Sequence, residues 1–396
     1  MQKSKLILLL ILFSINSLHS QSQDMMSYEE VNNTSYSLYT LSKWDELLSY
    51  GKKAIQHHQD FLYLRLRLGY AAIMKGNYSE AAMHYNKVIR QDEFNEIANY
   101  YLWVSYNALN QSEFASRFYP KISNELKAKN QLKKTALTLA GIESSIKTTD
   151  VTTRNNAFYN KLSFNTRLGW NLNLQQSVVS YNQQIAEPKL KNVDNNTAIN
   201  INQVEYYAMI ALSIKNNIEI KGAYHFIKTP FNNYTYHDNV NMLAVKYHGN
   251  YINLQASIIT GTLIDSAIHQ YNLQLDYFPQ GNSDLYGIST LTSSSVNASN
   301  RINFKQVLGI ILANNLWFEG NATLGKFSNY LENDALYVYN SIDPNTLKCG
   351  ANAYFFSGKH MKLQFGYTLE KRSLTLYNPE IIFHQHSING GITWKF

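Results

Sequence analysis

Two periodicities divide this chain. Before about residue 150 apolar residues return every three or four positions, as on one face of a helix; beyond it they alternate one for one with polar residues, as on the two faces of a strand. The last eleven residues are the plainest case: His386, Ile388, Gly390, Ile392, Trp394 and Phe396 fall on one face, and Ser387, Asn389, Gly391, Thr393 and Lys395 on the other. Between 161 and 174, Leu162, Phe164, Thr166, Leu168, Trp170, Leu172 and Leu174 oppose Lys161, Ser163, Asn165, Arg167, Gly169, Asn171 and Asn173. The same period returns at 201–214, 218–228, 241–247, 251–260, 268–278, 285–291, 303–313, 316–325, 347–356, 361–370 and 386–396, which predicts twelve strands. Most are near the roughly 9–11 residues that cross a bilayer at a tilt.

The links between these strands alternate in length. Long ones fall at 175–200, 229–240, 261–267, 292–302, 326–346 and 371–385, and short ones at 215–217, 248–250, 279–284, 314–315 and 357–360. Strands with one greasy and one wet face, joined by tight turns at one rim and longer loops at the other, predict an antiparallel transmembrane β-barrel, because lipid tolerates no free sheet edge. A soluble sandwich also alternates, but the aromatic carboxy terminus and the long-short rhythm weigh against it. An even strand number returns both ends of the barrel, and the helical half with them, to the short-turn side.

In that half, similar residues recur at a spacing of 34 between 28 and 129. Tyr36, Tyr70 and Val104 share one phase; Trp44, Tyr78 and Ser112 another; then Leu47, Ala81 and Ala115, Gly51, Tyr85 and Tyr119, and Ala54, Val88 and Ile122. Small residues let paired helices approach and large ones fill the space between pairs. The central copy, with Leu68, Gly69, Gly76, Asn77, Tyr78, Ala81, Tyr85 and Val88, resembles a tetratricopeptide repeat; the flanking copies are weaker, with Ser35 and Ser112 at diagnostic positions. A further helix is expected over 131–147, with Leu132, Ala136, Leu139, Ile142 and Ile146 on one face. The fold class is therefore α+β multidomain: a signal peptide at 1–20, a helical repeat segment at 21–150 and a 12-stranded antiparallel barrel at 151–396.

The first twenty residues carry Lys3 and Lys5, then the apolar run 6–13, then a polar stretch, which reads as a secretory signal too short to span a membrane. Apolar residues make up 45% of the chain, yet no later run approaches the roughly 18 needed for a membrane helix, so any crossing is made by strands. The net charge of +7 is spread over 35 basic and 28 acidic residues without a basic stripe, which argues against nucleic acid as a partner. Thirty tyrosines suit aromatic girdles. Cys349, the single cysteine, has no partner for an internal disulfide.

Candidate chemistry concentrates on the face opposite lipid, where Lys161, Arg167, Glu219, Lys221, Asp276, Glu319, Lys362 and Glu370 are expected, with His225, Gln255, Gln270, Asn272, Gln274, Asn321, Lys348, Gln364 and Lys395. Charges of both signs there either line a narrow channel or pair across the lumen and plug it. His384 and His386 are set on one side of their strand with Ser387 on the other, so a serine nucleophile and its base are not brought within reach; no G-x-S-x-G setting accompanies His225 or His269. His57 and His58 lack a third ligand at suggestive spacing. Glu332, Asp334 and Asp343 lack the compact repeat of a calcium loop and are expected to be solvated. Tyr234, Tyr236, Tyr330, Tyr337 and Tyr339 are expected in outer loops, packing there or stacking on sugars.

Together the two halves resemble outer-membrane barrels with an amino-terminal tetratricopeptide segment, the YaiO-type barrels and, more loosely, bacterial exopolysaccharide-export porins. That resemblance implies residence in the outer membrane of a Gram-negative bacterium, with lipid and the barrel-insertion machinery as partners and the repeats in the periplasm. It also implies a concave face lined by Tyr63, Leu66, Tyr70, Tyr100, Val104 and Asn107 that holds an unidentified protein partner, although some of these tyrosines can equally serve only to pack helices. The expected function is a non-enzymatic barrel, a small pore or an anchor, needing no cofactor and no metal; polysaccharide export and lipid hydrolysis or acyl transfer are the alternatives. Trp394 and Phe396 resemble the terminal signal read by the insertion machinery. Removing 394–396 should leave the chain undelivered and degraded, measured as loss of heat-modifiable protein from the membrane fraction; normal levels would contradict that role.

Overall fold

The computed structural model describes residues 26–132, 135–169, 171–186, 198–214, 217–231, 234–296, 299–340, 343–374 and 380–396. The expected signal segment and Trp170 lie outside them. Residues up to Lys75 and residues from Gly76 form two compact units.

The first unit holds helices α1 (Tyr28–Thr40), α2 (Trp44–Gln56) and α3 (Leu62–Met74). Ser27 caps α1 by accepting from the Glu30 N–H at 3.1 Å. Val31, Leu47, Ala54, Leu64, Leu68 and Ala71 are buried between the three. A side chain at Gly51 would place its Cβ 2.4 Å from a Leu68 methyl, so the small residue sets how closely α2 meets α3.

The second unit opens with α4 (Tyr78–Gln91) and α5 (Glu96–Ala108), capped by the Asn77 and Asn95 side chains. A four-residue helix α6 (Ser112–Ala115), a 3-10 turn (Ser116–Lys121) and α7 (Asn124–Lys129) follow. Helix starts at 28, 62 and 96, and at 44, 78 and 112, keep the spacing of 34 through both units. The third pair breaks its pattern at α6, where Pro120 interrupts the second helix.

The barrel closes through fourteen strands among the described residues rather than twelve. In chain order these are β1 (Leu137–Thr149), β2 (Arg154–Arg167), β3 (Leu172–Ala186), β4 (Ala198–Ile214), β5 (Ile218–Phe231), β6 (Tyr234–His248), β7 (Ile252–Leu263), β8 (Ser266–Tyr277), β9 (Leu285–Val296), β10 (Ser299–Ala313) and β11 (Leu316–Phe327). A short hairpin, β12 (Tyr330–Glu332) and β13 (Tyr337–Tyr339), stands apart before β14 (Asn345–Ser357), β15 (Met361–Leu374) and β16 (Ile381–Lys395) complete the wall.

Two strands escaped the sequence pattern. Residues 137–149 form β1, not the tail of a helix: Ile142 and Ile146 suit either period, and the outward set Ala140, Ile142, Ser144, Ile146 and Thr148 is a weak lipid face. What decides is the free edge of β16, which β1 covers from Leu139 against Lys395 to Thr149 against Gln385. The expected strand over 161–174 spans a turn between β2 and β3, and β3 runs on through the supposed long link, its outward residues Gln176, Ser180, Asn182 and Gln184 being too polar to alternate with the inner face. Most other long links shrink likewise into extended strands, as where β7 passes to β8 through residues 264 and 265; the link from β11 to β14 stays long.

Outside, Leu162, Phe164, Leu243, Ile258, Leu273, Leu291, Ile388 and Ile392 are exposed, a belt that makes this a transmembrane barrel because water would not leave so much apolar surface bare. Both barrel termini lie at one mouth, the near mouth, where Phe396 donates its N–H to Thr138 O at 3.1 Å and the His360 and Trp394 rings stack at 5.4 Å. Leu273, 57% exposed between Ala256 and Leu291, sits in the belt. Leu273→Arg should cost about 2–4 kcal/mol if its depth is the bilayer midplane, read as a lower unfolding midpoint in urea with lipid vesicles, whereas Gln274→Arg, facing the lumen, should cost less.

Candidate functional site

A barrel of fourteen strands is wider than its own side chains fill, and the β11–β14 link occupies that room. Its hairpin turns through Asn333, Asp334 and Ala335, all with left-handed backbone at φ of 51°, 56° and 66°, and hangs into the lumen from the far mouth. At the tip, Asp334 accepts from Lys221 Nζ at 2.8 Å and Gln255 Nε2 at 2.7 Å, Tyr207 donates to Asp334 O at 2.9 Å, and His225 Nδ1 meets Ala335 O at 2.7 Å. Gln270 donates to Leu331 O at 2.8 Å and accepts the Leu331 N–H at 3.1 Å. Glu332 lies between Lys305 and Lys348, both at 2.9 Å. Arg154 forks onto Asp343 at 2.8 and 3.1 Å, and Tyr337 joins Lys161 and Glu143. Around the tip Leu331, Ala335, Leu336 and Val338 pack on an apolar patch of the wall that includes Ile227, Val240 and Ile259.

Glu332, Asp334 and Asp343, expected to be solvated, are thus all paired, the first and last buried and Asp334 half-buried, and Tyr330, Tyr337 and Tyr339 face the lumen rather than an outer loop. The sequence held a signal for this, two short β-prone triplets around Asn333-Asp334, which is a hairpin pattern. It was masked by the length of the link.

All eight anticipated lumen residues lie on the inner face. Lys161 pairs with Glu143 at 2.7 Å, Asp276 with Lys246 at 2.7 Å and Glu370 with Arg372 at 2.6 Å. Glu219 lies 3.8 Å from Lys221 and 3.6 Å from His248. Glu319 accepts from Tyr286 at 2.8 Å, and Lys362 stands 5.1 Å over the Tyr354 ring. Arg167 sits near the other mouth, its N–H donating to Ala136 O at 2.6 Å. Gln255, Gln270 and Lys348 also join the hairpin, whereas Lys395 is exposed.

The near mouth carries the α6 segment. Phe114 stacks on His248 at 4.1 Å, Gln111 bonds His248 Nδ1 at 2.8 Å, Asn173 donates to Glu113 O at 3.3 Å and Arg117 donates to Ile214 O. Ser79 N–H to Gly281 O at 2.8 Å and Ser283 to Ala108 O at 2.7 Å fix α4 and α5 to the same rim. This docking explains why the third helix pair departs from the repeat: Phe114 and Phe118 are buried instead of continuing a regular helix.

Cavities flank the hairpin. A chamber of about 480 Å³ is lined by Glu143, Lys305, Glu319, Glu332, Lys348 and Glu370 among others. A vestibule of about 170 Å³ opens at the far mouth. They share Lys147, Tyr159, Tyr337 and Tyr339 as a common wall.

The helical candidates divide between the units. Tyr63 is exposed on α3 and Tyr70 packs edge-on against Tyr39 and Trp44 at 5.5 and 5.7 Å, with Leu66 on the same helix. On α5, Tyr100 donates to Asn130 at 2.9 Å, Asn107 donates to Trp103 O at 2.7 Å, and Val104 is half-buried. His384 bonds Asp150 at 3.1 Å and His386 bonds the Tyr367 hydroxyl at 2.6 Å, while Ser387 is buried on the opposite face.

No family model and no curated protein matches the chain. Among solved structures it is similar to a bacterial polysaccharide outer membrane secretin (10% identity, 67% of this chain, 100% of that one, TM-score 0.42). It is also similar to the Pseudomonas putida toluene transporter TodX (7%, 72% and 92%, 0.45) and a Pseudomonas aeruginosa FadL homologue (7%, 66% and 90%, 0.41). Likeness this slight carries no argument about what the barrel moves.

Burial alone would raise the Glu332 carboxyl, but the charges of Lys305 and Lys348 win and hold it down to about 2, from an ordinary 4.5. A depressed carboxylate stabilises the fold fully above its ordinary value and ceases to as pH falls through the depressed one. Hydrogen exchange across 328–344, corrected for the intrinsic rate, should therefore accelerate between pH 4.5 and 2. Glu332→Gln, which strands two lysines, should give the faster exchange already at pH 7.

Proposed function

We propose that this chain is a gated conduit in the outer membrane of a Gram-negative bacterium, closed by the β12–β13 hairpin and carrying its helices in the periplasm. The observation that carries it is the hairpin's mode of attachment. A purely structural filler would be apolar, because buried ion pairs seldom stabilise more than well-packed hydrocarbon. Here the hairpin is held by Lys221, Lys305, Lys348 and Arg154 on four different strands, contacts that water can replace as the segment leaves. The chamber left behind is polar and lined by both charges, which suits small polar solutes.

The signal-like start and the closed, greasy-sided barrel support the outer membrane, and a chain delivered from inside leaves its amino-terminal helices on the inner side. Exposed Tyr63 on α3 supplies apolar surface on the first unit, and Phe94 ahead of α5 with Ile97 in its first turn supplies it on the second, each open to a periplasmic protein partner. Polysaccharide export requires the hairpin to be displaced altogether, since a chamber of about 480 Å³ does not pass a polymer. His384 and His386, weighed for lipid chemistry, bond Asp150 and Tyr367, while Ser387 lies on the other face of the strand.

Planar-bilayer recordings test the reading. The full chain should show small, infrequent openings, and replacing 329–340 by a Gly-Ser linker of equal length should raise single-channel conductance several-fold. Asp334→Asn should increase open time at unchanged conductance. Equal currents from the full chain and the linker variant would remove the gate.

A further inference from the structure

We propose that the far-mouth vestibule is a binding site for a hydroxylated single-ring carboxylate, with its carboxylate on Lys147. The charge comes first. Lys147 faces inward from β1, its Nζ 5.5 Å over the Tyr181 ring, and it forms no ion pair among the described residues. Its cationic neighbours are engaged: Arg154 by Asp343, Arg372 by Glu370, Lys161 by Glu143 and Lys348 by Glu332. The acids are engaged as well, Glu205 by His225 at 3.0 Å and by Gln203 at 2.5 Å. What the vestibule offers a visitor is therefore one cation with no ionic partner of its own among the described residues, shared with the throat that leads to the inner chamber. An ammonium in a confined, partly dry cavity gains most from a single anionic group brought to it.

The walls define the rest. Tyr181, Tyr236 and Phe383 with Ile185, Ile201 and Ile264 present aromatic and aliphatic faces, which suit the flat side of a ring. The Tyr159 hydroxyl and Asn340 Oδ1, from two residues that also line the cavity, are buried with no hydrogen-bond partner among the described residues. Unpaired buried polar atoms are costly, and a ring hydroxyl reaching them would satisfy both an acceptor and a donor. A volume of about 170 Å³ matches one ring, since a cavity of about 150 Å³ accepts benzene. The shared chemistry is thus one ring, one carboxylate and at least one hydroxyl, and both an arene acid and a sugar acid carry it.

The ligand class rests on the conduit reading only for the route by which the ligand arrives; binding itself is measured without current. Isothermal titration calorimetry of the full chain in detergent would use 4-hydroxybenzoate and glucuronate, with phenol and glucose as uncharged counterparts. One carboxylate should bind, and which one does assigns the ring as arene or pyranose; its uncharged counterpart should bind at least ten-fold more weakly. Lys147→Met should weaken the carboxylate at least ten-fold, Lys147→Arg should recover most of the loss, and Lys362→Met, removing a lumen cation outside the vestibule, should bind as the unaltered chain does. Binding of neither carboxylate, equal binding of the uncharged counterpart, or unchanged affinity in a heat-modifiable Lys147→Met barrel would overturn the proposal. Binding with a failed gate would sink only the conduit, and gating without binding only the site.

Discussion

Every backbone donor and acceptor of this barrel must find its partner within the wall, since hydrocarbon supplies none, and that requirement is met at one seam. The pairing of β1 with β16 converts a sheet with two edges into a cylinder with none. The seam is made from unimpressive residues: Ala140, Ser144 and Thr148 alternate with Gly141, Ser145 and Thr149. Their weak apolar character matters little because backbone hydrogen bonding, and not side-chain grease, dictates that a strand stands there. Closure at fourteen strands then fixes the bore, and the bore fixes what must be put inside it.

An interior of this width cannot be filled by inward side chains as an eight-stranded barrel is, nor does it reach the open bore of the larger porins. The β12–β13 hairpin resolves that mismatch with charge. Each ion brought into the lumen costs desolvation, and the cost is offset only where geometry supplies several partners. Glu332 has two lysines and Asp334 a lysine and an amide, with His225 and Tyr207 taking the neighbouring carbonyls. Such contacts hold one position of the hairpin in preference to its alternatives, yet their loss is tempered when water enters. A lumen sealed by hydrocarbon would be more permanent.

Legibility in the sequence followed from how many neighbours each segment must satisfy. Strands with lipid on one side and water on the other print a two-residue period, so β5, β7, β8 and β16 could be read directly, as could the inward set from Lys161 to Glu370. Helix starts at a spacing of 34 were equally plain, because Leu47, Ala81 and Ala115 fill equivalent buried positions. The failures are segments that answer to something far away in sequence. β1 answers to β16, and the rim of β3 stands above the apolar belt and so lost its alternation. The 328–344 segment answers to a dozen wall residues scattered from Glu143 to Lys348, and read alone its acids look like solvated loop charges.

The same logic explains why the third helix pair is the most degraded. Helices α4 and α5 are tied to the rim by backbone contacts at Gly281 and Ala108 that demand little of side chains, and their sequences stay regular. The α6 segment instead brings Phe114 onto His248 and the Glu113 carbonyl onto Asn173 at the near mouth, and a regular second helix is given up there for shape complementarity to the wall. Burial pushes the Glu113 carboxyl above its usual range, with the charge of Glu219 adding to the effect, and the segment is seated by an aromatic stack and by hydrogen bonds to backbone carbonyls, where the far mouth is held by ion pairs. The far mouth is therefore the one whose attachment acid loosens, as Glu332 loses the charge that holds it between Lys305 and Lys348.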